Sequence, residues 1–289
     1  MHFLISNQIK MSSKGIIVVG SLHHDIIVDA SHQPVKGETL HGSRWYPKFG
    51  GKGGNQAVAA SLLGTQSKIV SAIGDDNFGK FLLNDLKQYN VDQKYIQIKK
   101  DIKTGISIAI SDDEGEYGAV IVSGANLEID PNILNDKKLW QSSSILMIQN
   151  EVRESLNLIA STKAKENGLQ VCLNAAPSRE ISYDLKKLID ILIVNSNEAS
   201  EISKMTLANI EDAKNISKIL VHNFKLVIIT LGEDGVVFCE ENQTPIFVQS
   251  KKIEVKSTHG AGDVFAGIFC SCISLGLNLI DSIKEANEK

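Results

Sequence analysis

Disulfide chemistry has little to work with in this sequence. Its 289 residues hold four cysteines, Cys172, Cys239, Cys270 and Cys272, with no CxxC pair, and each lies in an apolar stretch. They read as small buried hydrophobes, not as a redox or metal set, and fit a reducing compartment such as the cytoplasm. Long hydrophobic runs are missing as well. None approaches the roughly 18 residues that cross a bilayer, so no membrane partner is expected. There is no basic excess, since the formal net charge is −4, and hence no field to hold nucleic acid. Neither HxxxH nor HExxH spacing occurs, nor the GxSxG of serine hydrolases. Residues 1–14 begin apolar but lack a long apolar core and a cleavage site, and read as a disordered leader.

What is present is a globular composition, 43% hydrophobic and 22% charged, enough for a sizeable core. Apolar runs alternate with amphipathic segments. Gly15–Gly20, Lys68–Ile73, Ile145–Ile148, Leu169–Asn174, Asp190–Val194 and Leu226–Thr230 read as strands buried on both faces of a parallel sheet. Gly53–Leu63, Asn77–Tyr89, Glu151–Asn167 and Ile210–His222 read as helices. This rhythm predicts a doubly wound α/β domain over 15–289. Two stretches, about 22–50 and 102–124, lack helical periodicity. They read as strands of a small inserted sheet, with a hairpin turn in residues 111–118, and such a sheet could serve as a lid.

Four polar constellations interrupt the apolar pattern. STHGAGDVF at 257–265 opens a long apolar helix. Gly260, Ala261 and Gly262 would leave backbone N–H groups bare at the helix start, where the dipole favours an anion. Asp263 follows in the first turn. It could take a proton from an alcohol beside that anion site, or it could simply cap the helix. FGGKGGNQ at 49–56 begins another helix without the Walker A spacing. Its glycines allow close approach of a ligand or make a tight turn, and Asn55 can both donate to and accept from hydroxyls. NSNE at 195–198 follows an apolar strand. Asn195 and Glu198 could hold phosphate and Mg²⁺, Glu198 through water, or form a helix cap. TLGEDG, residues Thr230, Leu231, Gly232, Glu233, Asp234 and Gly235, could touch a nucleotide or be a β-turn. Asp25 and Glu151 stand at two further strand ends. His23 and His24 are adjacent, so on a strand they point to opposite faces. The first strand ends in GSLHHD, which is not the GxGxxG of a dinucleotide fold.

In this order the motifs resemble the ribokinase, or PfkB carbohydrate kinase, family. The resemblance runs from about Gly15 to Lys289. It includes GSLHHD at 20–25, FGGKGGNQAVAA at 49–60, GDDNFG at 74–79, SGAN at 123–126 and IQNE at 148–151. It continues through NAAPSRE at 174–180, NSNEA at 195–199, TLGEDG at 230–235 and STHGAGDVFAG at 257–267. The resemblance implies a ribokinase-like α/β fold and ATP-dependent phosphorylation of a sugar hydroxyl, ribose to ribose 5-phosphate. Asp263 would be the base, and Gly260, Ala261 and Gly262 the anion hole. His23, Asp25, Gly51, Lys52, Gly53, Gly54, Asn55 and Glu151 would face the substrate. Asn195 and Thr230–Gly235 would bind ATP, with Gly262, and Glu198 would help to place Mg²⁺. The inserted strands would be a lid that also supports a homodimer.

The chain departs from the family at three places. His23 stands where ribokinases carry an Asn that touches the sugar. Ser257 replaces an Asp that helps to hold a monovalent cation, which leaves K⁺ activation open. The chain also stops about two dozen residues after the GAGD helix, so a shortened C-terminus around the adenine pocket is expected. Two other functions fit the same residues: a nucleoside kinase, for example on pseudouridine, and a non-catalytic sugar- or nucleotide-binding protein.

Overall fold

Five consecutive buried residues, Gly15–Val19, form β1, as a strand covered on both faces must. The computed structural model describes residues 14–112, 117–251 and 260–288, so the leader through residue 13 and the tip of the 111–118 turn lie outside the described residues. After β1 come β2 (His23–Asp29), β3 (Arg44–Gly50), α1 (Lys52–Leu62), β4 (Ser67–Gly74), α2 (Asn77–Gln88), β5 (Asp92–Lys99), β6 (Gly105–Ser111) and β7 (Tyr117–Val122). The chain continues through α3 (Lys137–Trp140), β8 (Ser143–Gln149), α4 (Glu154–Glu166), β9 (Gln170–Asn174), α5 (Tyr183–Lys186), β10 (Ile191–Asn195), α6 (Ser196–Ser203) and α7 (Ile210–Leu220). It closes with β11 (Leu226–Thr230), β12 (Gly235–Glu240), β13 (Ile246–Gln249), α8 (Ala261–Ser274) and α9 (Leu279–Asn287).

Nine strands make one sheet in the order β13-β12-β11-β10-β9-β8-β1-β4-β5. It is parallel from β11 to β5, and β12 and β13 add antiparallel strands at one edge. Alternation along each central strand splits the core in two. Ile17, Val19, Leu146 and Ile148 belong to one cluster, and Ile16, Val18, Ile145 and Met147 to the other. Each face of the sheet thus carries its own helical cover, as a doubly wound fold requires. The sequence reading missed β5, β12 and β13. β5 is only half buried and β13 is four residues long, so neither shows the buried-strand pattern.

The two non-helical stretches form the small second sheet, in the order β3-β2-β6-β7. It is mixed: β2 runs antiparallel to β3 and parallel to β6. Two of the weaker motifs anchor it. Asp76 caps α2 and also accepts from Thr104 N and Oγ1, at 2.9 and 2.7 Å, just before β6. Asn126 pairs with both backbone groups of Leu22, each at 2.8 Å. One helix starts later than expected, at Glu154 instead of Glu151. Residues 150–152 are drawn into a turn by Asn150 N to Ala176 O and by Arg179 reaching Val152 O.

Candidate active site

The polar residues of the large sheet gather where its parallel strands end, the edge at which α/β ligands bind. Gln149 and Asn174 are paired across β8 and β9, and Asn195 and Thr230 across β10 and β11. Ser21 and Glu151 follow the ends of β1 and β8.

Asp263 sits in the first turn of α8, whose N-cap, Gly260, has φ 85°. Ala261 and Gly262 are exposed, and among the described residues nothing lies within 4 Å of where a Gly262 Cβ would be. The Asp263 side chain is only 4% exposed and is gripped by amides. Asn55 Nδ2 donates to its Oδ2 at 3.1 Å, while Gln56 Nε2 and Asn174 Nδ2 donate to its Oδ1 at 3.0 and 3.2 Å. Burial pushes the carboxyl above its usual range. The Lys52 ammonium and the Asn55 and Gln56 amides pull it back, and Glu151 adds to the upward push. Asn55 and Gly260 also line a recess of about 450 Å³ beside α1, α2 and α8.

A second cluster surrounds Glu151. Its Oε2 accepts from Lys52 N at 2.9 Å and from the Ser21 hydroxyl. His23 Nδ1 lies 3.7 Å from the same oxygen. His23 is 2% exposed, burial holds its pKa below the ordinary value, and its Nε2 has no hydrogen-bond partner among the described residues. His24 points the other way, as two neighbours on a strand must, and stacks on Phe78 at 4.3 Å. Asp25 is buried against Gly50, where a Cβ would lie 2.1 Å from its Oδ2.

The glycines of FGGKGGNQ serve chain packing first. Gly51 has φ 89°, and a Cβ there would meet His23 N at 2.6 Å. At Gly53 a Cβ would meet the Gly20 carbonyl carbon at 2.7 Å, and at Gly54 the Phe49 ring at 2.7 Å. The first amides of α1 are also partly spent: Gly54 N donates to Ser21 O at 2.9 Å. At the Cβ positions of these glycines the space is taken by residues 20–23 and 49.

Asn195 and Glu198 realise the cap that their spacing allowed. Glu198 N donates to Asn195 Oδ1 and Asn195 N donates to Glu198 Oε2, both at 2.9 Å. Burial raises the Glu198 carboxyl; Lys52 lowers it and Asp263 raises it further. Its charge therefore belongs to the same electrostatic group as Asp263. Within Thr230–Gly235, Gly232–Asp234 forms a short 3₁₀ turn between β11 and β12, closed by Leu231 N donating to Gly235 O at 2.8 Å. Glu233 and Asp234 are exposed there. Ser257 lies outside the described residues.

Among the described residues no three His, Cys, Asp or Glu side chains cluster tightly enough to hold a metal directly. A carboxylate such as Glu198 suits Mg²⁺, which keeps several waters and takes its remaining contacts from phosphate oxygens. Gln56, Asn174 and Gln149 were missed in the sequence. Gln149 and Asn174 each close an apolar strand, in ILMIQ and VCLN, and Gln56 ends FGGKGGNQ.

Residues 13–288 match the model of the pfkB family carbohydrate kinases. Staphylococcus aureus ribokinase is 31% identical over 277 residues, spanning 94% of this chain and 91% of that protein. Mus musculus ribokinase is 30% identical over 283 residues, spanning 94% and 86%. A solved structure of Arabidopsis thaliana ribokinase complexed with ribose and ATP superposes with a TM-score of 0.87 at 26% identity, covering 95% of this chain and 90% of that one. A family match over nearly the whole length, with relatives of comparable size on both sides, makes this chain a member of the pfkB carbohydrate kinase family.

Proposed function

We propose that the chain transfers the γ-phosphoryl group of ATP to ribose, giving ribose 5-phosphate, with Asp263 as the base. The observation that carries this reading is the buried Asp263 carboxylate at the start of α8, bracketed by Asn55, Gln56 and Asn174. Relatives that bear the ribokinase name at 30 and 31% identity support ribose over other alcohols.

Each residue has a task. His23, Asp25, Asn55 and Glu151 present donors and acceptors to sugar hydroxyls, on a floor made by Gly51, Lys52, Gly53 and Gly54. Asp263 takes the proton of the attacking hydroxyl. The amides of Gly260, Ala261 and Gly262, at a helix N-terminus, offset charge on the phosphoryl group in flight. Asn195 and Thr230–Gly235 hold the nucleotide. Mg²⁺ neutralises charge on the β- and γ-phosphates when bound, and Glu198 would hold one of its waters. Closure of the small sheet as a lid keeps out water, the competing acceptor.

Two copies pair through that sheet. Trp45, Ile108, Val120 and Val122 share one of its faces, where Trp45 and Val120 are 67 and 68% exposed. Such an apolar patch favours a partner surface. The four cysteines are free thiols, in keeping with a cytoplasmic protein.

The test is an ATP-consumption assay across pentoses, hexoses and nucleosides, with and without K⁺. Ribose should have the highest kcat/KM. Preference for a nucleoside would move the acceptor class, and binding of sugar without any transfer would replace the enzyme by a binding protein. The K⁺ arm reports on the Ser257 departure.

A further inference from the structure

Behind Asp263 lies a second layer of buried amides. Gln149 closes β8 and is fully buried, as is Gln56. Gln149 Nε2 donates to Gln56 Oε1 at 2.8 Å, and Gln56 Nε2 then donates to Asp263 Oδ1 at 3.0 Å. We propose that Gln149 is a positioning residue for the base: it fixes the direction of the Gln56 amide, which with Asn174 anchors Asp263 Oδ1 and leaves Oδ2 as the proton-accepting oxygen. This inference rests on the reading of Asp263 as the base.

An amide turned end for end keeps its shape but exchanges donor for acceptor, so only its neighbours can set its direction. Reversal of Gln56 would press its carbonyl oxygen on the Asp263 carboxylate. A donor at its far end prevents this, because a reversed Gln56 would also turn its NH₂ onto the Gln149 NH₂. The arrangement leaves a mark. Gln149 Oε1 is buried and has no hydrogen-bond partner among the described residues. Buried acceptors are rarely left so unless the geometry is needed elsewhere. Its place is also reserved, since a Cβ on Gly20 would sit 1.9 Å from that oxygen.

The two carboxylate oxygens are thereby made unequal. Oδ1 takes two donors, at 3.0 and 3.2 Å, and Oδ2 takes one, from Asn55 at 3.1 Å. Oδ2 is thus the oxygen held by Asn55 alone, and Asn55 itself borders the recess beside Gly260. In the transfer the substrate O–H bond breaks and its proton goes to Oδ2. The freed electron pair forms the bond to the γ-phosphorus. The bond from that phosphorus to the bridging oxygen breaks, and its electrons leave on ADP. Asp263 returns its proton to water as product departs.

The experiment measures kcat/KM for ribose with saturating ATP between pH 5 and 9 on the full chain. Gln149→Met and Gln56→Met are compared with the double variant, and Gly20→Ala serves as a second way to displace the Gln149 amide. Loss of an amide donor disfavours the carboxylate form. The acid limb should therefore move up by about half a pH unit or more in Q149M and in G20A. Because Gln149 acts through Gln56, Q149M should add nothing in the Q56M background, which a merely structural role would not reproduce. An acid limb unmoved in both Q149M and G20A, additive losses in the double variant, or failure of both single variants to fold would each overturn the proposal. Asp263→Asn separates the two claims. Turnover kept in D263N removes the base itself, whereas turnover lost in D263N with an unmoved limb in Q149M removes only the relay.

Discussion

Gly267 of α8 rests directly on Gln56 of α1: a Cβ at Gly267 would lie 2.6 Å from the Gln56 carbonyl oxygen and 2.7 Å from Ala59 Cβ. Gly267 is one turn beyond Asp263, on the same side of the helix. The glycine therefore sets how closely the carboxylate on α8 approaches the Asn55 and Gln56 amides on α1.

Gly267→Ala should push the helices apart. Better helix propensity would contribute about 0.5–1 kcal/mol, but overpacking against backbone costs roughly 1–3 kcal/mol and wins. Denaturant titration should show net destabilisation, with a fall in kcat/KM at neutral pH. A more stable or fully active G267A would mean that α8 can shift without harm.

Glu198 combines a cap with a proposed charge near Mg²⁺–ATP, and two substitutions separate these. Glu198→Gln keeps an acceptor for Asn195 N, so stability should stay near that of the parent protein while apparent Mg²⁺ affinity falls about 10–100-fold. Glu198→Ala also loses the capping box and should cost about 0.5–2 kcal/mol in unfolding experiments. Equal Mg²⁺ dependence in E198Q and the parent would remove the ion role.

His24 should make stability sensitive to acid. Burial lowers its pKa below 6.5 in the fold, against Asp25, Asp76 and Asp85, which act to raise it. The unfolded chain thus binds the proton first. The contribution is complete above 6.5 and is lost as pH falls toward the folded value. Tm measured at pH 7.5 and 5.0 should drop less for His24→Phe, which keeps a ring on Phe78 but cannot titrate. An identical drop would assign the effect elsewhere, His23 first, since burial lowers its pKa too.

The proposed pairing through the small sheet predicts that a charge on its exposed face is not tolerated. Val120→Glu or Trp45→Glu should weaken self-association at least about tenfold in sedimentation equilibrium, a change of about 1.4 kcal/mol. The same measurement on the parent decides whether there is a dimer at all; a monomer at assay concentrations ends the idea.

Much of this protein is local in origin and legible in the chain. Strands such as Ile145–Ile148 and Leu226–Thr230 announce themselves because a strand covered on both faces must be apolar throughout. The Asn195–Glu198 cap, too, needs only a three-residue spacing. The order of the polar motifs sufficed to foresee the family, and Asp263 stood out as a carboxylate at a glycine-led helix start.

Only the tertiary structure decided who surrounds that carboxylate. Asn55, Gln56 and Asn174 lie 208, 207 and 89 residues from Asp263 along the chain. Contacts of that separation arise from how helices and strands stack, and no spacing rule encodes them. The same holds for Gly53 and Gly54, whose missing side chains make room for residues 20 and 49. It holds for Gln149 as well, an ordinary strand-end residue until the fold sets it behind Gln56.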